Sequence, residues 1–246
     1  MKTIKNKPKI KSGLDAPGVP MVYFLAGILF LGIGIFIRSW ESLIFALLLI
    51  IGGLIYLHTS FSGKFIIWDK IIRSLNISKH AKILDLGCGH GAVLIKLAFK
   101  ISSLGKAVGV DLWHKADQAN NSLLAAKDNL KLANVENKTQ LITADMAKLP
   151  LKNRSFDLVV SSFAFHNIHP RKKRARALGE AGRVLKPGGK LIIVDTGHSF
   201  RQYRKILEQQ KLSNAKITRA GFNGWWTGPW MSTSIIPAEK DASKSF

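Results

Sequence analysis

Two long apolar runs open the chain. Residues 21–37 hold seventeen positions without a charge and residues 42–57 another sixteen, parted by Arg38-Ser39-Trp40-Glu41. Neither run carries a polar stripe, so each reads as a helix that is apolar on every side. At 1.5 Å per residue each reaches roughly 25 Å, a little short of a hydrocarbon core of about 30 Å. Flanking Pro20, Tyr23, Trp40, Tyr56 and His58 complete the reach at an interface. The expectation is a transmembrane hairpin over 21–60, whose Gly27, Gly32, Gly34, Gly52 and Gly53 let the two helices approach. A cleaved leader fits poorly, because the first run is long, lacks an A-x-A site and is followed at once by a second.

From about residue 65 the period changes. Trp68–Leu75 has helical spacing. Strand patterns at 82–86, 107–111, 139–143, 156–161 and 190–195 alternate with helical ones at 92–101, 122–133, 171–185 and 200–211. Segments 216–220 and 232–237 read as a closing strand pair. Short apolar strands separated by ten-residue helices predict an open parallel α/β sheet with right-handed crossovers. The implied division is a basic tail over 1–20, the hairpin over 21–60 and a globular domain over 62–246.

Charge then sets orientation and narrows the partners. Lys2, Lys5, Lys7, Lys9 and Lys11 precede the first run, Lys64, Lys70 and Arg73 follow the second, and the turn holds Arg38 alone. Positive-inside reasoning places both ends of the hairpin, and hence the domain, in the cytoplasm of a multi-pass cell-membrane protein. A formal charge of +22, from 37 basic and 15 acidic residues, favours an anionic partner: nucleic acid or a membrane surface. The basic helix start at 171–176 suits lipid headgroups or plain solvation. A single cysteine, Cys88, excludes an intrachain disulfide. No His/Cys/Asp group has metal-site spacing, so no metal is expected.

The candidate chemistry centres on Ile83-Leu84-Asp85-Leu86-Gly87-Cys88-Gly89-His90-Gly91, a strand, a glycine turn and a helix start. That is a nucleotide-binding element whose backbone passes close to a ligand, with helix amides beside it. Asp111 ends the second strand 24 residues past Gly87, where a carboxylate meets ribose hydroxyls in such units. Asp145 follows the third strand, and Leu185-Lys186-Pro187-Gly188-Gly189 predicts a tight turn from helix to strand. In order and spacing these segments resemble class I S-adenosylmethionine (SAM) methyltransferases, nearest the ubiquinone/menaquinone-type group.

The resemblance implies a seven-stranded Rossmann-like sheet, its last strand antiparallel, preceded by the two transmembrane helices. It implies SAM as cofactor, with Asp85 on the methionyl ammonium. Gly87, Cys88, Gly89 and Gly91 would line the turn, with Asp111 on the ribose and Leu112 beside adenine. Asp145 and Met146 would take the adenine amino group and ring. The loop from Ser161 to His169 would close over the cofactor and face the acceptor, with His166 as a candidate base or a structural histidine. Cys88 reads as packing, not as a nucleophile. The Trp225-Trp226-Thr227-Gly228-Pro229-Trp230 stretch suits a bilayer interface, an apolar pocket or packing on the sheet. The expected activity is methyl transfer to a small lipophilic or lipid acceptor. An RNA or protein acceptor, and a non-catalytic SAM-binding membrane protein, remain as alternatives.

Overall fold

The computed structural model describes residues 13–114, 117–197 and 200–242. The lysines of the basic tail lie outside them. Helices α1 (Gly18–Phe36) and α2 (Trp40–His58) form an antiparallel pair. Ser39 caps α2 by accepting a hydrogen bond from the Ser42 amide at 3.2 Å. The glycines seat one helix on the other. A Cβ on Gly27, Gly34, Gly52 or Gly53 would come within 2.9 Å of Ile50, Leu43, Tyr23 or Phe24 respectively, whereas Gly32 faces open space. Both helices are long and apolar enough to cross a membrane. Their outer faces leave large side chains such as Met21, Ile28, Phe36, Phe45 and Leu48 exposed.

Helix α2 does not end where the apolar run ends. A π-helical turn at Thr59–Gly63 carries it directly into α3 (Lys64–Ser74). The sheet follows as β1 (Lys82–Leu86), β2 (Lys106–Asp111), β3 (Thr139–Thr143), β4 (Phe156–Ser162) and β5 (Leu185–Asp195), then β6 (Leu212–Ser213), β7 (Thr218–Arg219) and β8 (Ser234–Lys240). Its order is β3-β2-β1-β4-β5-β8-β6, with β7 also paired to β8. Strands β1 to β5 pair in parallel and β8 runs antiparallel against β5. The two short pieces β6 and β7 pair along one edge of β8 with a one-residue change of register. They are one interrupted strand, so the expected seven positions hold.

Alternation along the strands divides two cores. Ile83, Leu158, Val160 and Ile192 pack beneath α3, α4 (Ala92–Ala98) and α5 (Leu123–Leu132). Leu84, Val159, Leu191 and Ile193 pack beneath α6 (Arg171–Val184) and α7 (Phe200–Gln209). Two expectations change. Helix α4 stops at Ala98 rather than Ile101. Pro187-Gly188-Gly189 is a bulge inside β5, because pairing with β4 resumes only at Lys190 after Leu185.

The C-terminal tryptophans divide their roles. Trp226 is buried, lies 5.0 Å edge-on to Phe163 and 5.0 Å from the Tyr56 ring, and donates to Thr233 Oγ1. Thr59 Oγ1 donates to the Trp225 carbonyl, and His58 Nε2 lies 3.1 Å from Asn223 Oδ1. This segment therefore clamps the π-helical turn, while Trp230 stays 70% exposed.

Candidate functional site

A cavity of about 330 Å³ opens at the carboxyl ends of β1, β2 and β4. This is where the strand order reverses, the usual ligand crevice of an open α/β sheet. The glycine turn forms its floor. Gly87 and Gly91 have φ of +72° and +80°, which side chains with a Cβ adopt only under strain. The need at Gly87 is also steric: a Cβ there would lie 2.2 Å from Ala164 Cβ. The sequence alone attributes such glycines to a ligand, but at Gly87 and Gly89 the neighbours in question are protein atoms, Ala164 and Gln118 Oε1. The Val110 carbonyl accepts from both the Gly87 and Cys88 amides, and Asn129 Nδ2 donates to the His90 carbonyl, so the turn is fixed from two sides.

The two carboxylates at the strand ends are arranged differently. Asp111 accepts from the Gly89 amide at 2.8 Å, the Trp113 amide at 2.5 Å and Asn121 Nδ2 at 3.3 Å. It is thereby locked across the floor, facing the cavity. Asp85 is 1% exposed, and its Oδ1 has no hydrogen-bond partner. Burial, reinforced by the charge of Asp111, pushes its carboxyl up to about 8. A buried carboxylate oxygen without a partner is costly unless a donor arrives. Burial likewise raises Asp117, with Asp111 adding to it while His114 opposes. These three of the five acids lining the cleft suit a cationic ligand. Burial also drives the Cys88 thiol upward, which agrees with packing and not with nucleophilic use.

Of the ten cofactor positions expected from sequence, Asp85, Gly87, Cys88, Gly89, Asp111, Leu112, Asp145 and Met146 line this cavity. Gly91 and Ser161 do not. Gly91 caps α4, and Ser161 is buried with its hydroxyl on the Leu86 carbonyl, leaving Ser162 on the wall. His166 is also absent from the wall. Its Nδ1 lies 2.6 Å from Asp195 Oδ1, and its amide donates to Asp195 Oδ2. Burial opposes charge on this imidazole, but the hydrogen bond to Asp195 prevails and holds it above the ordinary histidine range. His169, at the end of the same loop, lines the cavity. Asp145 is partly spent within the protein. Burial would raise it, but an ion pair with Lys173 at 2.8 Å outweighs this and holds it low.

Sequence reading missed the side of the site nearest the hairpin. Asp15, assigned to the tail, lies on the wall. Its carboxylate accepts from Lys64 Nζ at 2.6 Å, Ser60 Oγ at 2.8 Å and Gln118 Nε2 at 3.1 Å. The Ala119 amide donates to the Leu14 carbonyl, so residues 14–16 strap the loop after β2 to the end of α2. Helix α3 adds Lys64, Phe65 and Trp68, the last donating to Ser162 Oγ at 2.8 Å. The available signal was the i, i+4 placement of Lys64 and Trp68 ahead of Ile71, a charge on an otherwise apolar helix face. Among the described residues no cluster has the makings of a metal site.

Comparison with known proteins agrees with this geometry. A family model described as a methyltransferase domain matches residues 84–193. A demethylmenaquinone methyltransferase of Staphylococcus aureus is 33% identical over 131 residues, covering 53% of this chain and 49% of that protein. A chloroplastic 2-phytyl-1,4-beta-naphthoquinone methyltransferase of Arabidopsis thaliana is 27% identical over 191 residues, covering 72% and 70%. The chain thus spans about half the length of the first relative. Among solved structures, the [4+2]-cyclase SpnF has a TM-score of 0.59 at 15% identity, covering 73% of this chain and 82% of that one. A SAM-dependent methyltransferase from Aquifex aeolicus has a TM-score of 0.56 at 18% identity, covering 70% and 88%. At such identities the structures establish the fold alone, and one fold hosts several chemistries.

Proposed function

We propose that this chain, which carries a class I SAM-dependent methyltransferase domain, is a membrane-anchored enzyme that methylates a small lipophilic acceptor of the quinone type. One observation carries the membrane half of the reading. Helix α2 runs without a break through the π-helical turn into α3, and α3 is a wall of the cavity. An acceptor dissolved in the bilayer would then meet the site at the foot of the helix that anchors it. The exposed apolar faces of α1 and α2 fit lipid better than water, since a soluble surface rarely leaves so much contiguous apolar area uncovered. The helices would cross the cell membrane with the domain on the cytoplasmic side.

The residues present fit the cofactor. Asp85, with its unpartnered buried oxygen, would hold the methionyl ammonium; Asp111 would accept from the ribose hydroxyls; Leu112, Asp145 and Met146 would frame adenine. When bound, SAM supplies a methyl group already activated by a positive sulfur. The protein's share is alignment and dryness, which together can lower a barrier by about 7–11 kcal/mol. Phe65, Trp68 and Phe163, which line the cavity, would exclude water on the acceptor side. An acceptor would take that methyl group with its own electron pair, leaving the carbon–sulfur pair on sulfur, and would give up one proton. His169, on the wall, would be placed to take that proton. His166, tied to Asp195, shapes the loop that carries His169.

A polyanionic acceptor fits less well. Of the basic start of α6, Arg174 is buried and donates to the His166 and Ile168 carbonyls, and Lys173 is paired with Asp145. The test incubates the full chain in detergent with methyl-labelled SAM and, separately, total lipid extract, RNA and protein fractions. Label in the lipid extract, co-migrating with a quinone, is the expected result. Label in RNA or protein alone would overturn the acceptor class.

A further inference from the structure

The cavity is lined by both acids and lysines. The acids Asp85, Asp111 and Asp117 answer a positive ligand. The lysines on the wall are Lys64 and Lys173. Lys173 sits at the β3 side and is paired with Asp145 there. Lys64 is different: its side chain is 9% exposed, and its one hydrogen-bond partner among the described residues is Asp15. An ammonium carries three donors, so two N–H groups remain unspent. Burying a charge in this state is expensive unless something else on the wall takes those donors.

The position says what that is. In the order β3-β2-β1-β4, Asp111 ends β2 and Asp145 follows β3. Helix α3 lies toward the other side, where Trp68 bonds Ser162 at the end of β4. Asp85 of β1 belongs to this half. A carboxylate with one unpartnered oxygen and a lysine with a single protein partner, both buried and both lining the cavity, are complementary to an amino-acid zwitterion.

We infer that Lys64, positioned by Asp15, binds the carboxylate of the cofactor's methionyl group. This rests on the SAM-binding reading above. It makes the first turn of the juxtamembrane helix part of the cofactor site, and it gives the strap at 14–16 a purpose: Asp15 holds the lysine beside Gln118, whose Oε1 meets the His90 amide in the glycine turn.

The test compares SAM with its decarboxylated analogue, which keeps the sulfonium and the amine, by calorimetry on the full chain in detergent. The wild type should prefer SAM by about 10- to 100-fold, the range for one charge-assisted hydrogen bond. Lys64→Met should bind both within about 3-fold of each other, and the analogue as tightly as the wild type does, which doubles as its folding control. Lys64→Met combined with Asp15→Asn removes the pair as a unit and should lose the preference too. Lys64→Arg should keep at least about tenfold of it. A wild type indifferent to the carboxylate, or a Lys64→Met variant that still prefers SAM, overturns the inference. A wild type that binds neither nucleoside overturns the cofactor reading itself.

Discussion

Proton release on cofactor binding is the sharpest consequence of this site. Asp85 is fully enclosed, with one oxygen unpartnered and a carboxyl raised to about 8. Ligand-free protein at pH 7 therefore keeps it mostly neutral, about ten molecules in eleven. Holding an ammonium requires the ionised form. Binding at pH 7 must then expel about 0.9 proton, and ionising the group costs about 1.4 kcal/mol for each pH unit below 8. Affinity should rise about tenfold between pH 6 and pH 7. Staying at or below pH 7 keeps the ligand's own amine charged. The sign for folding runs the other way. A carboxyl raised above its unfolded value of about 4 stabilises the ligand-free fold when neutral, so its contribution declines from pH 4 upward and is gone above 8.

The assay is isothermal titration of the full chain with SAM at pH 7 in phosphate, HEPES and Tris, whose ionisation heats differ. Observed enthalpy plotted against buffer enthalpy gives the protons released. The wild type should give about 0.9. His166 is a second titratable group, held above its ordinary value by Asp195 despite burial. The control is therefore Asp85→Asn, which keeps the shape, should bind about 10- to 100-fold more weakly and should release close to no proton. A wild-type slope near zero, or the same slope in the variant, refutes the assignment of Asp85.

Three other outcomes follow from single residues. Asp111→Asn should weaken SAM at least about tenfold and loosen the glycine turn, since it removes a charged acceptor from the Gly89 and Trp113 amides; calorimetry and thermal unfolding read the two effects. Gly87→Ala should destabilise the domain by about 2–4 kcal/mol through positive φ and the contact with Ala164, and adding Ala164→Gly should recover only the contact share in a denaturant titration. Asp195→Asn should lower the His166 pKa, seen as a shifted NMR titration. His166 is raised in the fold, so the ion pair contributes below about pH 6.5 and fades as pH rises through the folded value; the variant should therefore lose more stability at pH 5.5 than at pH 8.

Much of the domain was legible because local signals agreed with one another. Strands β1 to β4 begin within a residue of where their apolar runs begin, and Ser122 accepts from the Ala125 amide to start α5. The acids at 85, 111 and 145, which the family resemblance singles out, line the cavity because the ends of parallel strands are where side chains can face a crevice. The departures have physical causes. Pro187-Gly188-Gly189 reads as a turn from local chemistry, yet β5 pairing captures the residues on both sides and leaves a bulge. His166 and His169 are three residues apart in one loop, and nothing local tells which meets the cavity. That depends on Asp195, which is 29 residues further on and buried at the end of β5.

The expected boundary at residue 62 is crossed by contacts that periodicity does not reveal. A change from apolar runs to alternating elements looks like a seam between an anchor and an independent domain. The hydrogen bonds cross it: Ser60 and Lys64 both donate to Asp15, Tyr56 Oη donates to the Asp15 carbonyl, and Gln118 of the domain reaches the same side chain. An anchor that only tethered would need none of these, since any apolar hairpin of sufficient length holds a protein at a bilayer. Here the residues before α1 and after α2 meet on the wall of the cavity. The packing of the hairpin against the domain therefore rests on the same contacts that shape the site, and loss of the strap would open this wall of the cavity to water.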